Sequence, residues 1–452
     1  MGNIAEVPHR AGWPDFSLFR PHPSGAILAA WLRETQALTD TLFSVIDARR
    51  LDVPKIRIVN PPLWEIGHVG WFQEFWIHRR GSFDAPSMIA GADRLYDSSR
   101  VHHDTRWTLD LAHIDATRRY LDAVLQRSLE MLDRDPLTDE LAYFTQLSIL
   151  HQDMHNEAFC HMWHTLGYPM PQPAAPSAAS AAGSGDGSRA GDIDIPACRL
   201  ALGAPPESGL VLDNEKWAHE VELSAFSIAR HAVSNAQFLA FVEDGGYRRR
   251  EFWSDAGRRM LDEVGLDAPR YWRREGSAWR MRRFEREMAL DPAEPVMHVS
   301  FHEAEAWCRW AGRRLPTEAE WECAAATSPG TGAKRRYPWG DAIDESVESL
   351  ARLDARCAGP ASVGDFPAGA SGWGARQMLG NVWEWTASRF APYPQFSADP
   401  YKEYSAPWFV DDHRVLRGGS FATPLRLIRN TWRNFYMPHR ADVFCGFRTC
   451  AA

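Results

Sequence analysis

Several features that would carry a chain out of the cytosol or onto a membrane are missing from this sequence. No stretch of eighteen apolar residues occurs, so no membrane-spanning helix is expected. The opening residues, MGNIAEVPHRAGWPDF, lack a charged segment followed by an apolar run, which argues against a secretory signal peptide. Glu6 breaks the myristoylation pattern. The seven cysteines include no CxxC; their number is odd and their spacing scattered. That usage points to a reduced, cytoplasmic protein and not to a disulfide scaffold. Positive charge is in deficit, with 50 Lys and Arg against 59 Asp and Glu and a net charge of −9. Nucleic acid is therefore not an expected partner, and neither is a membrane surface.

The chain is rich in tryptophan, with twenty residues, which suits aromatic-lined pockets and large core side chains alike. Its 452 residues suffice for two to three domains. Residues 171–192, PQPAAPSAASAAGSGDGSRAGD, hold no large apolar side chain and read as a flexible connector between 1–170 and 193–452. The first part shows helical periodicity over 25–48, 62–79, 110–133 and 137–166, with Pro62 near the start of the second segment. Four long helices predict a four-helix bundle.

The fourth helix contains HQDMHNEAFCHMWH (151–164), with four histidines in fourteen residues. At ~100° per residue, His151 and His155 lie about 40° apart on one face. Phe144 and Leu147 precede that stripe, and Ala158 and Met162 continue it. His161 and His164 fall on the far side and are expected toward solvent. An i,i+4 imidazole pair on a buried face either makes core hydrogen bonds or converges on a metal ion. Gln152 and Asp153 leave no H-E-x-x-H, and so no metalloprotease base. On the second helix, His68 stands among Leu63, Trp64, Ile66, Val69, Trp71 and Phe72. Bundles build metal sites from facing helices, so His68, His151 and His155 are the candidate ligands. Three histidines lack the carboxylate of the facial triad and suit zinc as well as iron. His78, His102, His103 and His113 are expected on the surface or in loops.

The second part is rich in Gly and Trp and poor in long periodic helices. Helices are expected over 302–313 and 317–326, the latter with Thr317 and Glu320 as a capping box. The Arg-dense stretch 248–286 is interleaved with acids, as a solvated face would be. Five stretches follow in order: RLPTEAEWECAA (314–325), YPWGD (337–341), MLGNVWEWTAS (378–388), RVLRGGSF (414–421) and GFRTC (446–450). Together they resemble the formylglycine-generating-enzyme, or sulfatase-modifying-factor, domain over roughly 195–452. The resemblance implies a variant C-type-lectin-like fold. The copper-binding cysteine pair of formylglycine-generating enzymes has no counterpart in FATPLRLIRN (421–430), so copper-type thiol oxidation is not expected. PPLWEIGHVGWFQEFW (61–76) and HQDMH (151–155) resemble the three-histidine motif of DinB-like bundles. The expected fold class is thus α plus α+β, a DinB-like four-helix bundle ahead of a C-type-lectin-like domain.

Bundle, linker and second domain together resemble the ergothioneine-synthase family over nearly the whole chain. The resemblance implies a non-haem iron(II), O2-dependent enzyme, with His68, His151 and His155 holding Fe(II). Its small-molecule substrates would be hercynine, the betaine of histidine, and a chalcogen donor joined to the imidazole C2. Within PYKEYS (400–405), Tyr401 matches the family's proton or electron donor and Tyr404 its neighbour; taken alone, both would be packing residues. NFYMPHR (434–440) departs from the family's Asn-Trp-Asp triplet, reading Asn434, Phe435 and Tyr436, while Arg440 keeps the donor-contacting position. An ammonium group calls for a carboxylate partner, whereas a sugar has hydroxyls that a tyrosine can satisfy. The expected reaction is therefore C–Se bond formation with a selenosugar, as in the family's selenoneine-forming branch. The alternative is C–S bond formation with cysteine or γ-glutamylcysteine. Met154 stands where family members can carry a hercynine-binding Gln, and Gln152 points elsewhere on the helix. Arg100 and Arg106 are further candidates for a donor or carboxylate contact. Two other classes remain open: a zinc DinB-type thiol transferase or hydrolase, and a lectin-like binding module indifferent to the three histidines.

Overall fold

The computed structural model describes residues 13–170, 191–330, 332–343 and 345–452. The connector read over 171–192 falls mostly outside them, and Asp192 at its end already opens the first strand.

Four long helices form the N-terminal part: α1 (Gly25–Ser44), α2 (Pro62–Gln73), α4 (Ile114–Arg134) and α5 (Asp139–Leu166). A short α3 (Ala92–Tyr96), which the periodicity did not predict, lies against α2. The ends have local causes. Ser24 accepts a hydrogen bond from the Ile27 amide at the start of α1, and Thr138 accepts from the Leu141 amide at the start of α5. Gly167, with φ of 67°, stops α5 in the left-handed conformation. Past Gln73, α2 continues as one π-helical turn, Glu74–His78.

The C-terminal part holds α6 (Asn235–Glu243), α7 (Asp255–Val264), α8 (Phe301–Trp310) and α9 (Glu318–Ala326) among short strands. The expected Thr317–Glu320 capping box starts α9, and Ser300 with Glu303 makes another on α8. Strands β1 (Asp192–Ile195), β2 (Cys198–Leu202), β3 (His219–Leu223) and β4 (Phe226–Ala229) come first. The three-stranded β5–β7 sheet spans 272–289, and β8 (Arg313–Arg314) follows. Last come β9 (Trp383–Arg389), β10 (Arg414–Arg417), β11 (Asn434–Tyr436), β12 (Cys445–Gly446) and β13 (Cys450–Ala451). Two four-stranded sheets, ordered β1-β4-β13-β8 and β11-β10-β9-β12, form the frame. In the Arg-dense stretch, Arg249, Arg250 and Arg273 pair on the surface with Asp244, Asp262 and Glu287.

Buried ion pairs tie together four of the five C-terminal stretches. Glu322 of WECAA receives Arg417 of RVLRGGSF. Glu384 of NVWEW receives Arg448 of GFRTC at 2.6 and 2.8 Å and Trp321 Nε1 at 2.7 Å. Glu318 receives Arg433 at 2.9 and 3.1 Å. A buried charge is tolerated only with its partner in place, so each of these four stretches requires another distant one.

Helix α5 corrects one expectation. His161 and His164 do not face solvent; both are buried. His164 stacks on His298 at 4.2 Å, and both α5 histidines lie edge-on to Phe444. The far side of α5 packs on the sheet-bearing part, so the helix is covered on two sides. Its central turns are accordingly buried nearly all round. His78 also differs from expectation: it is half-buried, with Nε2 at 2.9 Å from Ser128 Oγ.

Candidate metal centre between the helices and the sheet frame

Helices α2 and α5 bring His68, His151 and His155 together, with one ligating atom from each lying within 4.8 Å of the others. The ring centroids are 5.1, 5.1 and 4.5 Å apart. Second contacts set two of the tautomers. His68 Nδ1 is 2.7 Å from the Tyr96 carbonyl, which can only accept, so Nδ1 carries the proton and Nε2 keeps its lone pair. His155 Nδ1 donates to Glu65 Oε1 at 2.8 Å, with the same consequence. His151 Nδ1 is buried without a hydrogen-bond partner. Burial drives His68 and His151 well below the usual imidazole range, which keeps both rings neutral and able to ligate. Burial also works to raise the Glu65 carboxyl, but hydrogen bonds from His155 and Asn60 outweigh it and hold the group below its ordinary value. Three converging imidazoles, two of them with the Nε2 lone pair freed by a contact at Nδ1, fit a divalent transition metal.

Packing aims the ligands. A Cβ on Gly67 would sit 2.2 Å from the Tyr96 ring, so only glycine lets Tyr96 lie on α2 and deliver its carbonyl to the next residue, His68. Trp64 stacks on the His68 ring at 5.1 Å and Phe72 on His151 at 3.5 Å. Arg106 lies over Trp64 at 3.6 Å and donates to Asn60 at 2.7 Å. It thus braces Glu65 through Asn60. Arg100 pairs with Asp97 and covers Phe83.

The sheet-bearing part closes over this centre. Tyr401 stands edge-on to His151 at 6.0 Å and to Phe72 at 4.9 Å. Tyr404 lies 6.3 Å from Tyr401, and its hydroxyl is 3.4 Å from Trp432 Nε1. Burial raises both phenols above their ordinary value, so both are protonated near neutrality. Asn434, Phe435 and Tyr436 make up β11, opposite Leu416, Val415 and Arg414. Alternation along the strand sends Phe435 to one face, where it stacks on Phe390 at 3.9 Å. Asn434 and Tyr436 point to the other. Arg440 forks onto Asp442 at 2.5 and 2.6 Å and lies 4.9 Å from the Tyr436 ring.

The structure also assembles residues that the sequence reading passed over. Glu65, three positions before His68, was legible as one of two carboxylates, with Glu74, in an otherwise apolar helix. Asp442, which neutralises Arg440, carried no such signal. Glu157, two residues after His155, is buried and accepts from Trp383 Nε1 at 2.8 Å and Ser420 Oγ at 2.6 Å. It ties α5 to the NVWEW and GGS stretches. Gln152 turns away from the centre, donating to Gln36 and Thr39 of α1.

Residues 31–157 match the DinB superfamily, and residues 180–452 match the sulfatase-modifying factor enzyme 1-like domain. A hercynine oxygenase of Mycolicibacterium thermoresistibile is 38% identical over 434 residues, covering 94% of this chain and 95% of that protein. One from Mycolicibacterium smegmatis is 39% identical over 401 residues, covering 86% and 91%. A formylglycine-generating enzyme of Streptomyces coelicolor is 34% identical over 272 residues, covering 55% and 85%.

Proposed function

Since the chain belongs to the hercynine oxygenase family, in which a DinB-type helical region precedes a sulfatase-modifying-factor domain, we propose that it is a non-haem iron(II) enzyme acting on hercynine. The reaction replaces the imidazole C2–H bond with a bond to a chalcogen donor, and O2 takes up the electrons. The observation that carries this reading is the converging histidine triad with a half-buried tyrosine edge-on to it. Iron(II) on His68, His151 and His155 would supply O2 binding and reduction beside an open position for the donor. Tyr401, whose ring stands edge-on to His151 and whose phenol stays protonated near neutrality, would serve as the proton donor. Trp64 and Phe72 are committed to the triad, stacked on His68 and His151, and hold those rings in place. Tyr404 keeps Tyr401 in place from the rear.

For the donor we favour a selenosugar. Tyr436 offers a hydroxyl where the family's triplet has a carboxylate. Arg440 already has Asp442 as its counter-ion, so this wall presents no free charge to a charged amino-acid thiol. The test is a competition. Fe(II)-loaded protein receives O2 and hercynine with equal selenoglucose, thioglucose, cysteine and γ-glutamylcysteine, and product masses are read. A dominant hercynine–selenosugar adduct is the expected result. A dominant cysteine-type sulfoxide would return the chain to sulfur chemistry. No hercynine-derived product with any donor would overturn the hercynine reading altogether.

A further inference from the structure

Cys198 and Cys323 lie 125 positions apart in the chain, yet their sulfurs approach to 3.7 Å. Cys198 is the first residue of β2, and Cys323 sits in the middle of α9. Both are free thiols. Their surroundings differ. Cys198 is half-exposed and flanked by exposed Ala197 and Arg199. Cys323 is 1% exposed, and the Thr327 hydroxyl lies 3.6 Å from its sulfur. One thiol is therefore open to a small oxidant, and the second waits behind it, out of reach of bulk solvent.

We propose that Cys198 and Cys323 are a peroxide-oxidisable pair that closes into a disulfide between β2 and α9. In the first step the Cys198 sulfur attacks hydrogen peroxide. The O–O bond breaks, one oxygen leaves as water, and Cys198 becomes a sulfenic acid. In the second step the Cys323 sulfur attacks the Cys198 sulfur, the S–O bond breaks, and a second water departs with the Cys323 proton. Two thiols lose two electrons in all, and one peroxide takes them up. Burial pushes the Cys323 thiol up to about 12, so it is not the first site of attack; its place 3.7 Å from the Cys198 sulfur is what makes it the resolving partner.

The cross-link has a structural reach. Glu318 and Glu322, on the same helix as Cys323, hold Arg433 and Arg417. Arg433 immediately precedes the Asn434–Tyr436 strand. A disulfide here staples the β2–β3 hairpin to the helix that anchors the candidate donor wall, and it closes a long loop in the unfolded chain.

The full-length chain, freed of metal by chelation so that no iron-borne radicals contribute, is treated with hydrogen peroxide. It is then digested without reductant and analysed by mass spectrometry. The expected product is a peptide pair joined through Cys198 and Cys323 and released by dithiothreitol, with an unfolding midpoint about 5 °C above that of the reduced chain. Cys323→Ser removes the cross-link and leaves a Cys198 sulfenic acid that dimedone traps. Cys198→Ser removes both products. Reduced-state melting of the two serine variants shows that each is folded. A bridge between Cys308 and Cys450 in place of this pair would overturn the proposal, and so would oxidation of Cys198 to sulfinic acid with Cys323 left free.

Discussion

Glu65 accepts the Nδ1 proton of His155, and Asn60 and Arg106 stand behind it. A carboxylate in that place fixes the imidazole tautomer and raises its basicity. Glu65→Gln is expected to weaken metal binding by about 10- to 100-fold, read by chelator competition, while His151→Ala abolishes the site. An unchanged affinity in Glu65→Gln would remove Glu65 from the metal centre. At the donor wall, Tyr436→Asp is expected to shift the product ratio toward cysteine-type donors by about tenfold, the worth of one charge-assisted bond of ~1.4 kcal/mol. A ratio that does not move would make the NFY triplet irrelevant to donor choice. The triad was legible because helical spacing alone puts His151 and His155 on one face and because His68 stands in an apolar run. Asp442 was not, since nothing local distinguishes an acid that meets a buried arginine from one that meets water.

Among the elements, α5 does the most. It supplies two histidines of the triad on one face and, through Glu157 and Asp153, polar ties to the C-terminal part elsewhere. Glu157→Ala would leave the Trp383 Nε1 proton and the Ser420 hydroxyl buried without their acceptor. Each unsatisfied group costs about 1–3 kcal/mol, so a loss of about 2–6 kcal/mol in denaturant unfolding is expected. A loss below about 1 kcal/mol would mean that another acceptor takes over. The sequence marks α5 as a helix with a buried face, and its cap and stop residues set the ends. It does not mark the second buried face, because His161 and His164 are polar by any scale. They became core residues only when the sheet-bearing part covered them.

In the whole molecule, that covering has an energetic signature. Burial lowers His298 to about 3 and takes His164 well below the usual range. Below pH 6.5 the unfolded chain binds protons that the folded chain refuses, so stability falls with falling pH by about 1.4 kcal/mol per unit for each histidine. Between pH 6.5 and 5 His298 removes about 1.6 kcal/mol, and His164 acts in the same direction. His298→Asn, which tolerates the φ of 64° at this position, is expected to reduce the total loss between pH 6.5 and 5 by about 1.6 kcal/mol in unfolding curves taken across the range. An unchanged pH slope would show that these rings are not neutral in the fold. What the sequence determined by itself is local: helix spans and caps, a histidine pair at i,i+4, and the ordered stretches that identify the second domain. Tertiary structure decided what depends on distant partners meeting. It seated Tyr401 on the triad, gave Arg440 its counter-ion, buried the far side of α5 and brought Cys198 to Cys323. Periodicity reports which face of an element is apolar, but it carries no information about which other element will cover that face.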